Sequence, residues 1–404
     1  MLSLKKLISV TSGIVFLLTF FVFYHSVERT GSLWDCGEFI LGAYKLQVVN
    51  PPGAGYIKIS TLIPQELPWT GVYFDGVPVT LTAIAHPGFA FVDWDDNIFI
   101  TDESMITFTN NFTDNTSFTA NFTGAAIANP IIVSEINYNS DITTNSGDWI
   151  ELHNNSDVPV TLTDYVLSTR LFYNSFRFPD NTIIPAHGYL VVVENSELFI
   201  EQNPGVDNYI GNFIFDLENS GDSIVLKDHS GITITNIKFD DVKPWPVTAD
   251  NFGRTMERTT PADDPNLANS WFDGCMGGSA GEAYTPCNEN PLVTEINYHS
   301  LETQNAGDWF EIHNFHPFEF DMSGWTIKDK NDNTFIIPDE TFIDINGYLV
   351  IYQDETLFFE QFPTVNNKTG PTFFGLNNED DIIRIYDENG ILYQSVHYLS
   401  LIHI

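Results

Sequence analysis

Two stretches of this chain carry nearly the same sequence, 160 residues apart. Val133-Ser-Glu135-Ile-Asn137-Tyr138 with Gly147-Asp148-Trp149-Ile-Glu151-Leu-His153-Asn154 returns as Val293-Thr-Glu295-Ile-Asn297-Tyr298 with Gly307-Asp308-Trp309-Phe-Glu311-Ile-His313-Asn314. With one deletion the likeness continues to Gly188-Tyr189-Leu190-Val191 against Gly347-Tyr348-Leu349-Val350. A self-similarity of this length means two copies of one folding unit, so the architecture must be modular.

Within each copy, β-branched and aromatic runs of strand length are separated by Gly, Asn and Asp. In the first, residues 131–138, 149–153, 165–168, 189–193, 223–227 and 232–239 read as strands. Only 196–202 and its counterpart 355–361 read as a helical turn. Short strands at this spacing predict antiparallel β-sandwiches, and hence a mainly β chain. The content suits this: 14% aromatic and 17% charged residues supply enough apolar surface to offset chain entropy.

Charge narrows the function classes. Residues 1–54 hold four basic and three acidic side chains, and the remaining 350 hold 12 basic against 51 acidic. Such a surface repels phosphate backbones, which argues against nucleic-acid binding and favours divalent cations and basic partners.

The organisation reads as follows: a membrane-like fragment at 1–54, a small β module at 55–124, the first repeat at 125–245, a linker at 246–290, a second and truncated repeat at 291–398, and a non-native-looking tail at 399–404. After Lys5-Lys6 an uncharged run spans residues 7–24, long enough to cross a bilayer once as an anchor; a cleaved signal is the alternative. The two lysines place the bulk of the chain outside the cytoplasm, anchored or secreted. Trp34-Asp35-Cys36-Gly37-Glu38 and the stretch to Pro51-Pro52-Gly53-Ala54 resemble the first helix and external loop of bacterial membrane proteins related to protein O-mannosyltransferases, in which Asp35 and Glu38 would correspond to acidic residues serving sugar transfer. No later segment is apolar enough to supply the further helices such an enzyme needs. The abrupt change at Gly55 suggests a chimera of two unrelated sequences, with a gene fusion of a truncated transferase start to a secreted protein as the alternative.

In 55–124, Val77-Pro-Val79-Thr-Leu81-Thr-Ala83 alternates, Pro87-Gly88 turns, and Phe89-Ala-Phe91-Val-Asp93-Trp94 begins another strand. This resembles the internalin-type B repeats of bacterial surface proteins, which implies a small β-grasp-like fold acting as spacer or adhesion unit. Asp93, Asp95 and Asp96 read as a solvated turn beside a core tryptophan.

The two long copies share an opening Glu-Ile-x-Tyr strand, Asp-Trp-hydrophobic-Glu-hydrophobic-x-Asn, Ile-Pro-x-x-Gly-Tyr-Leu-Val, and Asp-x-x-Gly after a hydrophobic strand. This pattern resembles the bacterial form of the lamin tail domain. The resemblance implies an immunoglobulin-like β-sandwich that acts as an interaction platform rather than a catalyst. In secreted bacterial proteins such domains accompany spore-coat CotH-like kinases or hydrolases, so the chain also reads as the accessory end of a larger enzyme.

Each repeated residue has a structural expectation. Trp149 and Trp309 should bury in the core. Asn154 and Asn314 should cap their own turns. Gly188 and Gly347 should supply positive φ before the Tyr-Leu-Val strand. Glu135 with Glu151, and Glu295 with Glu311, are the repeated carboxylate pairs, the minimum for glycosidase-type chemistry. Strand alternation places them opposite the apolar face, on a solvated side, and no catalytic residue is assigned. His153 and His313 lack a third metal ligand and read as surface histidines.

Asp329-Lys-Asn331-Asp-Asn333 with Glu340 mimics the oxygen order of a calcium loop, although Thr334 stands where glycine is required. A polar hairpin turn is the competing reading; calcium, in a carbohydrate-binding module for a cell-surface glycan, is the only cofactor the residues suggest. Cys275 and Cys287 could close a small disulfide loop in an oxidising compartment, or remain two unrelated thiols. The partner of the sandwiches, protein or surface glycan, is not encoded in any motif.

Overall fold

The computed structural model describes residues 40–74, 78–95, 100–108, 116–170, 175–287 and 289–400. The apolar run 7–24, Asp35, Cys36, Glu38, Asp96 and residues 401–404 lie outside them. Among the described residues no helix is long and apolar enough to cross a membrane.

The N-terminal module is built from two small sheets. One orders the strands Trp69–Phe74, Ile40–Asn50, Thr116–Gly124, Phe89–Asp95 and Ile100–Thr101; the other orders Gly55–Ile59, Val79–Ala85 and Met105–Phe108. The alternating residues Ile57, Ile59, Leu81 and Ala83 meet Trp94, Phe118 and Ala120 in one core. Trp94 is fully buried, edge-on to Phe118, while Asp93 accepts a hydrogen bond from Asn121 Nδ2 at 2.7 Å and Asp95 is exposed. The division drawn at residue 54 does not hold in the structure. Ile40–Asn50 is an interior strand of the larger sheet, parallel to Thr116–Gly124, and Val49 and Ala54 belong to the core. Composition misled because a strand with both neighbours is as apolar as a membrane-flanking segment.

Residues 131–157 and 164 onward form one compact unit that contains both repeats. In the second repeat, one sheet orders Leu292–Asn297, Trp309–His313, Tyr348–Tyr352 and Lys368–Thr369, and the other orders Thr334–Ile336, Thr326–Lys328, Asp380–Tyr386 and Leu392–Leu399. Phe310, Ile312, Leu349 and Ile351 from the first pack against Ile327, Ile383 and Ile385 from the second, so each repeat is a two-sheet sandwich. The first repeat has the same plan, with Ile131–Asn137, Trp149–Asn154, Tyr189–Val193 and Tyr209–Gly211 facing Ser175–Arg177, Val166–Ser168, Ser223–Lys227 and Thr233–Lys238. Pairing is antiparallel except for the outer strands Tyr209–Gly211 and Lys368–Thr369, which run parallel to their neighbours. The helices fall at Ser196–Gln202 and Glu355–Gln361, started by Asn195 and Asp354, whose side chains accept from backbone N–H groups of the first turn. Phe199 and Phe358 drop from them edge-on to Trp149 and Trp309.

The stretch read as a linker is ordered. Arg254–Arg258 and Trp271–Met276 extend the first repeat's sheet to six strands, with Arg254–Arg258 pairing directly with Ile131–Asn137. Pro261, Asp263, Asp264, Pro265 and Asn266 occupy the connection between these two strands, where turn chemistry belongs. Cys275 and Cys287 are joined in a disulfide. Arg254 then ties the repeats together: Nε donates to Ser395 O, Nη1 to Gly274 O and Nη2 to Glu289, each at 2.8 Å. Lys243 and Asp380 pair at 2.7 Å across the same junction.

Candidate functional site

Alternation along Trp149-Ile150-Glu151-Leu152-His153 sends Ile150 and Leu152 into the sandwich and Trp149, Glu151 and His153 to the outer face. The expectation of a solvated outer face fails in the first repeat. Glu135 and Glu151 stand opposite each other on neighbouring strands, and Glu257 stands opposite Glu135 on the next. This three-strand row of carboxyl groups is buried, at 0%, 1% and 4% exposure for Glu135, Glu151 and Glu257. The cover is the segment after Trp271–Met276, whose Ala280 packs into a cluster with Trp149, Val191, Val193 and Phe199.

Every carboxyl group in the row meets protein donors. Thr255 Oγ1 and Ser279 N donate to Glu135 Oε1 at 2.5 and 3.0 Å, Ser279 Oγ donates to Glu257 at 2.5 Å, and Ser134 Oγ and Gly281 N donate to Glu151 at 2.6 and 2.7 Å. The cover approaches so closely that a Cβ on Gly278 would lie 2.2 Å from Glu135 Oε1, and its φ of +83° also demands glycine. Burial, then the neighbouring Glu257 and Glu151, push Glu135 well above the usual carboxylate range. Burial raises Glu151 to about 8 and also raises Glu257. Glu151 therefore holds its proton at neutral pH, and the whole row lies under a lid of backbone, which suits a structural role better than proton delivery to a substrate.

The second repeat keeps the cross-strand pair, Glu295 opposite Glu311, but not its surroundings. Glu295 is exposed and Glu311 half-buried, with Thr294 Oγ1 donating to Glu311 at 2.9 Å as Ser134 does to Glu151. Here the expected solvated face is present, because no described strand lies beyond Leu292–Asn297.

The other repeated residues are placed as follows. Trp149 is fully buried and donates from Nε1 to Ser146 Oγ at 3.1 Å, whereas Trp309 is only half-buried. Asn154 and Asn314 are completely buried and do more than cap a local turn: Asn154 Nδ2 donates to Ile184 O and Pro185 O at 3.1 and 2.9 Å. Asn314 Nδ2 donates to Ile343 O and Asp344 O at 3.0 and 3.1 Å, while its Oδ1 accepts from His316 N. Gly188 and Gly347 do not hold positive φ. His187 and Asn346, one position earlier, do so at 54° and 53°; glycine follows because a Cβ would meet Pro185 Cδ at 3.0 Å or Asp344 O at 2.8 Å.

His153 and His313 are not surface residues. They stack on Tyr189 and Tyr348 at ring separations of 4.3 and 4.2 Å, and burial lowers the pKa of His153.

Asp329 is buried in a hairpin turn. Its Oδ1 accepts from Asn331 N and Asn333 N at 2.9 and 2.8 Å, and its Oδ2 accepts from Asn333 Nδ2 at 2.7 Å. Glu340 is an exposed residue of a later turn. Among the described residues no group of three or more His, Cys, Asp or Glu gathers as a metal site.

Sequence reasoning missed Glu257, Thr255 and Ser279, and also Asp148 and Asp308. Asp148 Oδ2 accepts from Leu217 N at 2.7 Å and Asp308 Oδ2 from Leu376 N at 2.8 Å, pinning equivalent loops, and burial raises Asp148 to about 7. The signal for these two aspartates was present, since each precedes the repeated tryptophan. The signal for Glu257 was the alternation of Arg254-Thr-Met-Glu-Arg258 inside a stretch dominated by turn residues.

No curated protein matches the chain. Among solved structures it is similar to a DUF4876 family protein from Bacteroides thetaiotaomicron VPI-5482, at 11% identity and a TM-score of 0.24, over 59% of this chain and 93% of that one. It is also similar to domains 7, 8 and 9 of the S-layer protein SbsC, at 13% identity and a TM-score of 0.15, over 87% of this chain and 80% of that one. Likenesses this distant carry no argument about function. The family model described as Lamin Tail Domain matches residues 125–241 and 286–400. These matches coincide with the two repeats and take in more than half of the 404 residues, so the chain belongs to the lamin tail domain family.

Proposed function

We propose that this is a non-catalytic, extracytoplasmic protein whose two lamin tail domains, immunoglobulin-like in plan, serve as structural and protein-interaction or attachment modules. One observation carries the reading: the polar residues common to both repeats are engaged in holding backbone. Asp148 and Asp308 fix loops, and Asn154 and Asn314 fix strand ends. The repeated glutamates support the same view, because a shared reaction would need shared surroundings, and one pair is sealed while the other is open. The disulfide favours an oxidising compartment and hence a location outside the cytoplasm, by secretion or through an anchor at 7–24. The net charge of −38 favours basic partners over nucleic acid. The module at 40–124, as a B-repeat-like spacer, belongs to the same proposal.

The test is to incubate the full chain with intact bacterial cells and isolated envelopes, and in parallel with chromogenic glycosides, phosphate esters and ATP. Saturable retention without turnover is expected. Turnover abolished by Glu135→Gln or Glu151→Gln, or the absence of any retention, would overturn the proposal.

A further inference from the structure

The two repeats build one end of the sandwich from the same backbone and from different side chains. Asn155-Ser156-Asp157-Val158 becomes Phe315-His316-Pro317-Phe318, and Ile183-Ile184-Pro185-Ala186 becomes Phe342-Ile343-Asp344-Ile345. In the first repeat a polar pair bridges these two loops, His187 Nε2 and Asp157 Oδ1 at 2.9 Å; in the second, Asn346 and Pro317 stand in those places. The loops are nonetheless held alike. Asn314 Nδ2 donates to Phe318 O at 2.9 Å as well as to Ile343 O and Asp344 O, as Asn154 Nδ2 does to Ile184 O and Pro185 O. The first copy thus closes this end without aromatic rings, so the fold does not require them.

The substituted side chains are open to water. Phe315, Phe318, Phe342 and Ile345 are between 40% and 56% exposed, so folding gains little from them. The exposure does not reflect a missing cover: in the first repeat, whose covering strands are in place, Asn155, Asp157, Ile183 and His187 are exposed as well. The rings are also fixed in position. Phe315 stands edge-on to His313 at 3.9 Å, and Phe318 stacks on His316 at 4.6 Å, whose Nε2 meets Asn290 O at 2.8 Å.

Charge identifies the occupant. Residues 315–321 and 339–346 carry five carboxylates, Glu319, Asp321, Asp339, Glu340 and Asp344, all exposed, and no lysine or arginine. The matching stretches of the first repeat carry two, Asp157 and Asp180. Among the described residues, the ion pairs of the second repeat fall elsewhere, at Asp332 and Asp380. An exposed apolar patch rimmed by polar groups marks an interaction surface. A neutral sugar would use the rings and strip water from the carboxylates without pairing them, and an acidic partner would be repelled. Arginine answers both features, because its planar cation lies over aromatic faces and pairs with carboxylates; a lysine stem covers apolar surface while its ammonium reaches an acid.

We propose that this end of the second repeat binds a basic polypeptide segment, its arginine and lysine side chains lying over Phe315, Phe318 and Phe342 and pairing with the carboxylates around them. This deepens the interaction-module reading and rests on it.

The probe is a labelled, alternating Arg-Gly peptide titrated into the full chain at physiological ionic strength, where scattered surface charges are screened. Fluorescence anisotropy follows binding, with a Glu-Gly peptide and a neutral N-acetylglucosamine oligomer in parallel. The expected result is saturable binding of the Arg-Gly peptide alone. Phe315→Asn with Phe318→Val, which installs the first repeat's residues and leaves the net charge unchanged, should weaken binding by about tenfold or more. Glu319→Gln with Asp344→Asn, at exposed positions clear of the packing, should weaken it similarly, and Glu360→Gln on the helix should not. No saturable binding would overturn the proposal. So would an affinity that follows net charge alone, falling equally in Glu360→Gln and unchanged in the aromatic variant. Binding of the sugar oligomer in place of the peptide, lost in the aromatic variant, would also overturn it, by naming a glycan as occupant. Failure here with retention on envelopes intact would leave the interaction-module reading standing.

Discussion

At the scale of single residues, burial rather than residue type decides what a carboxyl group does. The pair Glu135 and Glu151 and the pair Glu295 and Glu311 have the same register and opposite environments. A carboxyl group whose folded pKa is raised binds its proton more tightly folded than unfolded. Its stabilisation is therefore complete below the unfolded value of 4.5 and is lost as pH rises toward the folded value, about 8 for Glu151. Thermal unfolding of the first repeat should show a melting temperature that falls from pH 5 to pH 8, with Glu151→Gln reducing the slope; an unchanged slope in that variant would contradict the assignment. The turn residues give a second prediction. Gly347→Ala forces a Cβ toward Asp344 O and should cost about 1–3 kcal/mol, whereas Asn346→Gly relieves a φ of 53° and should be neutral or slightly stabilising. Urea unfolding of the two variants would separate this account from one in which the glycine itself carries the positive φ. Asn314→Ala leaves the buried carbonyls of Ile343 and Asp344 without their donor and should cost about 2–4 kcal/mol in the same assay.

At the scale of elements, most strands and both helical turns were legible, because period-two alternation survives in 131–137, 149–154, 189–193 and 223–227, and an Asn or Asp start marks each helix. What escaped was the pair Arg254–Arg258 and Trp271–Met276. Two strands of five and six residues are outweighed in composition by the turn residues between them. With them went the site, since the fate of Glu135 depends on a segment more than a hundred positions away in sequence. The disulfide between Cys275 and Cys287, 12 positions apart, anchors the end of that cover. Closing a loop of this size is worth about 2–3 kcal/mol. Reduction, or Cys275→Ser with Cys287→Ser, should therefore lower the melting temperature of the first repeat and speed amide exchange at Ser279 and Gly281, with little effect on exchange across Trp309–His313. Equal effects on both repeats would show that the bond does not act through the cover.

At the scale of the molecule, the duplication visible in the sequence predicts two like sandwiches but not their coupling. Arg254, on the covering strand of one repeat, bonds to Ser395 O in the other and pairs with Glu289 between them. The unit of inheritance in this chain is consequently larger than the sandwich. A fragment cut after Trp245 lacks the two outer strands Arg254–Arg258 and Trp271–Met276 and leaves Glu135 and Glu151 without their cover, whereas one carried through Cys287 takes its own roof with it. Recombination that shuffled the shorter piece would scatter domains with an open flank, and recombination of the longer piece would spread domains already closed to neighbours. The first copy is thus closed by a segment that lies outside its two facing sheets in sequence yet adds two strands to one of them.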